Sequence, residues 1–290
     1  MSSVSFVQRN GAIKQNRTAD LFLTKEVLYQ LSYNGAFFVK PEQYTEEGRR
    51  LQVGFLYFLT RLTPPNKTVR LPILMQTVVI LANGQPPAHP TPLALLAHAG
   101  LLICCDGACL TARRLGREPH FIVGDGDSIP PEDRAAWADR FILIDEQDTN
   151  DLDKAFRFVL SRQCAPFHLA LLGTTGLRED HTLGNIFRLL AFTEQHPDTV
   201  LYTDTGTFEA VRGTQTLSAP VGSPVSIFAP FPGTDVSSSG LQWPLDGVPL
   251  GPLWAGTLNR TTGPRFTLCT SRPILVYRPY PDVTDLPSRV

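Results

Sequence analysis

The chain predicts an α/β domain built on a parallel sheet, followed by a smaller all-β sandwich. Three observations carry that expectation. From position 75 onward, short apolar runs end one after another in glycine or acidic turns; the segments between them carry helical stripes; and after Pro197 the texture changes to short strands separated by Gly, Pro, Ser and Thr. Runs that are continuously apolar belong to strands covered on both faces, and alternation of strand with helix gives a parallel sheet.

Taken in order, residues 78–81 lead into Ala82-Asn83-Gly84, 101–105 into Asp106-Gly107, and 121–123 into Gly124-Asp125-Gly126-Asp127. Residues 141–144 then lead into Asp145-Glu146-Gln147-Asp148, and 169–172 into Gly173-Thr174-Thr175-Gly176. The clearest helix begins near Thr149, with Leu152, Phe156, Val159 and Leu160 on one stripe and Asp151 and Asp153 in its first turn, where their charge complements the helix dipole. A second begins near Asp180, striped by Leu183, Ile186, Phe187 and Leu190. These elements define an α/β catalytic domain over 75–195. Strands over 199–203, 208–212, 224–229, 266–270 and 274–277 define a β-sandwich domain over 196–290. Ligands of open α/β sheets bind at the carboxyl ends of the strands, where every acidic turn of this chain falls.

With 290 residues, 42% hydrophobic, 18% charged and a net charge of −1, the chain has the composition of an ordinary globular protein. Disorder requires low hydrophobicity with high net charge, and nucleic-acid binding through bulk charge requires a basic excess; both classes are excluded. The near-neutral total conceals a split. Residues 1–74 carry ten Lys and Arg against five Asp and Glu, whereas 75–290 carry sixteen against twenty-two. Four of the five lysines lie before position 75, while all six histidines and all five cysteines lie after it. Met75 is the only methionine besides Met1. The working polypeptide is therefore expected to start there, with 1–74 an over-called start or a disordered stretch; the competing reading is a basic extension that docks on the body or a partner. Residues 1–74 hold no run of 18 apolar residues of the kind a membrane span needs, and no basic n-region followed by an apolar h-region of the kind expected for export. The cysteines (104, 105, 109, 164 and 269) are odd in number and unpatterned, which predicts buried thiols in a cytoplasmic, reducing setting rather than disulfides or a zinc site.

Ten of the twenty-two acidic residues after position 74 fall within 125–153. Asp125 and Asp127 share a tight turn, and Asp148 and Asp151 flank a helix start. Like charges held together either raise one another's pKa or require a cation, and oxygen-only ligands at turns suit Mg²⁺. Any one of these acids alone is equally well a cap or a turn residue; their common placement at strand ends favours the metal. If phosphates are bound, no G-x-x-x-x-G-K-[ST] or G-x-G-x-x-G cradle exists, and Lys154, the body's only lysine, follows no glycine loop. Phosphate binding then rests on Mg²⁺, arginine and backbone N–H groups. The turn Gly173-Thr174-Thr175-Gly176-Leu177-Arg178 offers such donors at a helix N-terminus, with an arginine beside them. His181 reads first as a hydrogen-bonded structural residue and second as a helix-start or substrate-positioning one. No nucleophile elbow occurs, so covalent catalysis is unsupported.

Four blocks resemble, in order and spacing, the signatures of the thiamine pyrophosphokinase family. They are Cys105-Asp106-Gly107-Ala108; Val123-Gly124-Asp125-Gly126-Asp127-Ser128-Ile129; the stretch from Glu146-Gln147-Asp148-Thr149-Asn150-Asp151 to Lys154-Ala155; and the stretch from Gly173 through Arg178-Glu179-Asp180-His181 to Gly184-Asn185-Ile186. Ser239-Gly240-Leu241-Gln242-Trp243-Pro244-Leu245 and Asn259 look like the family's thiamine-proximal stretch. The resemblance covers 75–290 and none of 1–74. It implies an α/β domain followed by a β-sandwich, a homodimer with sites between subunits, and the reaction of ATP with thiamine to give AMP and thiamine diphosphate, with Mg²⁺. By matching position, Asp106, Asp125, Asp127, Asp148 and Asp151 would form the catalytic and triphosphate site, the last four as metal ligands. Gly176, Arg178, Asp180 and His181 would lie at the nucleotide, and Trp243 and Asn259 at thiamine, with Trp243 stacking on its rings from the partner subunit.

Departures from the family's pattern are Gly126, where an apolar residue is common; Glu146, usually Asp; Leu177, usually Gly; and Leu258, usually Ser. Leu177 bears on backbone approach to phosphate and Leu258 on a thiamine hydrogen bond. Two other functions compete with the kinase: a non-catalytic thiamine or nucleotide sensor, which has little reason to keep five costly carboxylates, and a Mg²⁺-dependent nucleotide phosphohydrolase, which needs no aromatic platform such as Trp243.

Overall fold

The computed structural model describes residues 75–163 and 166–284. The expectations about 1–74 and about Cys164 lie outside the described residues. Six strands, β1 (Gln76–Leu81), β2 (Leu101–Cys105), β3 (Phe121–Gly124), β4 (Phe141–Leu143), β5 (Phe167–Leu172) and β6 (Thr199–Tyr202), pair in parallel in the order β4-β3-β2-β1-β5-β6. Between them run α1 (Pro90–Ala97), α2 (Ala108–Arg114), α3 (Pro131–Ala136), α4 (Asp151–Arg162) and α5 (Glu179–Gln195).

Both faces of this sheet are buried, which is why its strands read as unbroken apolar runs. On one face Val78, Ile80, Ile103, Val123, Leu169 and Leu171 pack with Phe156 and Val159 of α4 and Leu189 and Phe192 of α5. On the other, Val79, Leu81, Leu102, Ile122, Ala170 and Leu172 pack with Leu96 of α1 and Ala108, Cys109 and Ala112 of α2. Asn150 starts α4 by accepting the Asp153 N–H at 2.9 Å; of the expected stripe, Leu152, Phe156 and Val159 are buried and Leu160 is half-buried. Of the expected stripe of α5, Leu190 is buried and Ile186 and Phe187 are half-buried against the same core, whereas Leu183 is 56% exposed.

β7 (Gly206–Ser218) turns antiparallel to β6 and pairs with β12 (Arg265–Pro279) over nearly its whole length. The two strands expected over 266–270 and 274–277 are thus one strand, with a register shift between Thr270 and Ile274. β9 (Asp235–Ser239) and β10 (Asp246–Pro249) extend the sheet beyond the first half of β12. β8 (Pro224–Phe228) pairs with the second half, and β11 (Gly256–Arg260) with β8. Val211, Val225, Ile227, Val236, Phe266 and Leu268 form the core of this part. A short α6 (Pro281–Thr284) follows. The segment over 199–203 is a parallel strand, β6, so the change of strand direction comes at β6/β7, after the change of texture at Pro197.

Cys104, Cys105 and Cys109 are buried free thiols, and burial pushes the Cys109 thiol up to about 12. Cys269 is free but exposed on β12. Among the described residues, no helix is long and apolar enough to cross a membrane.

Phe156 is 1% exposed and stacks on Phe192 with ring centroids 4.2 Å apart, joining α4 to α5. Phe156→Ala is expected to lower unfolding free energy by about 3–5 kcal/mol, measured by urea denaturation; a loss under 1 kcal/mol would show that this contact is not part of the core.

Candidate functional site

Strand order reverses at β1, which has β2 on one side and β5 on the other, and crevices open where order reverses. The β1–β5 ladder continues past both strand ends: Leu172 O, Gly173 O and Thr175 O accept from Ala82 N, Gly84 N and Gln85 N, each at 2.8 Å. A Cβ on Gly84 would lie 2.3 Å from Gly173 O, so only glycine allows the two loops to close together.

The acidic group lies at the ends of the next two strands. Asp106 follows β2 with φ of +40°, a left-handed conformation that aspartate tolerates better than most residues. It is 2% exposed; its Oδ2 accepts the Ser128 N–H at 3.0 Å, while its Oδ1 is buried with no hydrogen-bond partner. Burial pushes its carboxyl above the usual range; Ser128 opposes this, and the charges of Asp151 and Asp127 add to it. Asp125 is held below the usual range, first by the Asp127 N–H at 3.2 Å and then by Gln147 at 3.4 Å. Ser128 Oγ donates to Asp127 Oδ1 at 2.9 Å. Oxygens of Asp106, Asp125 and Asp127 all lie within 4.8 Å of one another. Three carboxylates this close, one with an orphaned buried oxygen, fit a hard divalent cation held by oxygen ligands alone.

The other acids expected here are placed differently. Asp151 is ion-paired at 3.1 Å with Lys154, which is 2% exposed, and its carbonyl accepts from Cys105 Sγ at 3.5 Å. Asp148 stands on the exposed bend between β4 and α4, outside the trio. Glu146 is bonded by Thr149 and by Arg157, the latter at 2.9 Å, and both hold its carboxyl low. Sequence reasoning set Lys154 aside because no glycine loop precedes it; the signal available was its i,i+3 spacing from Asp151, which puts the pair on one side of α4.

Gly176, Arg178, Asp180 and His181 share the β5–α5 turn and engage one another or their neighbours. Gly176 N donates to Thr182 Oγ1 at 3.1 Å. Arg178 donates twice to Asp180, at 3.1 and 2.6 Å, drawing that carboxyl down to about 2, and the exposed His181 donates its N–H to the same group. The turn is tied to the acidic side by Asn185, which donates to Thr174 O at 2.8 Å and accepts from Asn150 at 3.4 Å. Thr174 Oγ1 is buried without a partner. Asn185 belongs to the fourth family-like block of the sequence, yet its bridging role depends on a contact 35 residues away.

In the β half, Asn259 is 4% exposed and clamps the backbone of Trp243, accepting its N–H at 3.2 Å and donating to its carbonyl at 2.7 Å. The Trp243 residue itself is 53% exposed. Leu258 beside it is exposed at φ of +60°. Trp243 follows β9, six strand positions from β2.

Comparison with known proteins agrees with this layout. Residues 93–201 match the family model described as thiamin pyrophosphokinase, catalytic domain, and 206–277 match that described as thiamin pyrophosphokinase, substrate-binding domain. Thiamine pyrophosphokinase of Bacillus subtilis is 33% identical over 116 residues, 39% of this chain and 53% of that protein. Thiamine pyrophosphokinase 1 of Oryza sativa subsp. japonica is 28% identical over 207 residues, 59% of this chain and 74% of the relative. Among solved structures, a Bacillus subtilis thiamine pyrophosphokinase superposes with a TM-score of 0.61 at 22% identity, covering 71% of this chain and all of the other. A yeast thiamin pyrophosphokinase gives 0.59 at 19%, covering 79% and 92%. At these identities the structures establish the fold alone.

Two outcomes are expected from this geometry. Ionisation of a carboxyl whose pKa is raised by folding works against the folded state, so Asp106→Asn should raise the melting temperature of the metal-free protein while abolishing any increase that Mg²⁺ confers. An unchanged Mg²⁺ effect in differential scanning fluorimetry would remove Asp106 from the cation site. Asn259→Ala leaves the Trp243 backbone without its partners, and should cost about 1–3 kcal/mol in chemical denaturation and shift the Trp243 emission, read against a Trp243→Phe control.

Proposed function

Because the chain belongs to the thiamin pyrophosphokinase family, we propose that it transfers pyrophosphate from ATP to the hydroxyl of thiamine, giving thiamine diphosphate and AMP. The observation that carries this reading is the trio Asp106, Asp125 and Asp127 at the carboxyl ends of β2 and β3, with its orphaned buried oxygen. Those three would hold Mg²⁺, with Asp148 and Asp151 completing the acidic wall; bound there, the ion would neutralise triphosphate charge. The chain's own contribution is positioning, the main demand of phosphoryl-type transfer. The thiamine oxygen forms a bond to the β-phosphorus as the bond from that phosphorus to the α,β-bridging oxygen breaks, and AMP leaves. An aspartate not engaged with the metal accepts the hydroxyl proton. The turn bearing Gly176, Arg178, Asp180 and His181 borders the nucleotide, and the exposed Trp243 supplies an aromatic face for cationic rings, worth about 0.5–2 kcal/mol.

The separation between Trp243 and the trio along one sheet supports a homodimer in which each site draws its acids from one subunit and Trp243 from the other. Exposed Trp254 and Leu258 on the β half suit such a partner surface. Free thiols suit a reducing cytoplasm.

Incubated with ATP, Mg²⁺ and thiamine, the full chain should form AMP and thiamine diphosphate in equal amounts, resolved by anion-exchange chromatography. ADP as product, or turnover independent of thiamine, would overturn the assignment. Asp127→Asn should abolish turnover with an unchanged circular-dichroism spectrum. Mixed with Trp243→Ala after co-expression, it should recover activity that neither variant has alone; absence of recovery would rule out the shared site.

A further inference from the structure

Beside the acidic turn stands an arginine that makes no ion pair among the described residues. Arg134 of α3 lies over Gly126: a Cβ placed on Gly126 would stand 2.4 Å from Arg134 Nη2, 2.7 Å from Cζ and 2.9 Å from Nε. The guanidinium therefore rests along the backbone between Asp125 and Asp127. Gly126 has φ of +80°, a conformation L side chains rarely adopt, and its bare Cα leaves the seat that the arginine takes. An apolar residue at that position would close it.

The other arginines around the site are committed. Arg113 pairs with Asp133, Arg157 with Glu146, Arg178 with Asp180 and Arg188 with Asp153. Arg134 makes no ion pair among the described residues; its nearest ring is Phe141, 5.8 Å from Cζ to centroid. A planar fork of N–H donors without a carboxylate, lying on the turn that bears two of the three clustered acids, is suited to an anion that reaches the turn from solvent. The chain has no lysine-bearing phosphate loop, so such a donor fills a gap in the site.

Resting on the ATP reading above, we propose that Arg134 is a triphosphate-binding residue, whose guanidinium donates to the β- or γ-phosphate of the nucleotide. Because AMP lacks both groups, the assignment separates two ligands. In titration calorimetry with Mg²⁺ on the full chain, Arg134→Gln should weaken ATP binding roughly tenfold, the scale of one charge-assisted hydrogen bond, and leave AMP binding unchanged. Equal ATP affinity in wild type and Arg134→Gln would overturn the inference and leave the ATP reading standing. Equal weakening of ATP and AMP would overturn the assignment to the outer phosphates. A wild-type protein that binds no ATP would overturn both.

Discussion

The pairing of β1 with β5 is the constraint on which the α/β half depends. Six register pairs, from Gln76 opposite Phe167 to Leu81 opposite Leu172, put the first strand at the centre of the sheet and force the chain to build outward on both sides of it. Since the helices after β1 and β5 pack on opposite faces, their connecting loops part above the strand ends and are tied together there by backbone bonds. That arrangement creates a crevice and leaves side chains at the neighbouring strand ends free to do chemistry.

The chemistry that this placement concentrates is electrostatic. Asp106 is folded into the interior in a left-handed conformation, with one oxygen bonded and the other orphaned, and two more carboxylates reach within 4.8 Å of its own. A fold tolerates such a group because stability is distributed over three large apolar cores elsewhere. Buried Lys154 is ion-paired with Asp151 and reaches the trio only as a minor influence on Asp125, so most of the negative charge is left at the spot that faces the strand ends.

The α/β half could be read closely from sequence because burial on both faces writes itself into a strand as uninterrupted apolarity. The β half was harder, since its strands are half exposed and some carry little apolar sequence. β9 offers only Val236 beside Ser237, Ser238 and Ser239, too little to mark a strand, and its place is set by pairing with β12. Ser271-Arg272-Pro273 looked like a break between two strands and is an irregularity within one. In the site, the clustered aspartates were visible because charge density is a local property. The roles of Lys154, Asn185 and Arg134 were not, because each depends on which distant or differently oriented group the fold brings against it. Asn259 was noted beside Trp243 as a ligand contact; the structure uses its side chain to hold the tryptophan's backbone.

β7 and β12 are paired over twelve positions, and the sheet passes from parallel to antiparallel without a gap. The two family models meet at 201–206, and that junction falls where Leu201 faces Phe208 and Thr203 bonds to Gly206. Severing the chain there would strip the partner from a strand on each side and leave two raw sheet edges, each a row of unpaired N–H and C=O groups open to aggregation. The halves are distinguishable in texture and in the family model each matches, but as pieces of matter they are not separable: each serves as the wall that finishes the other.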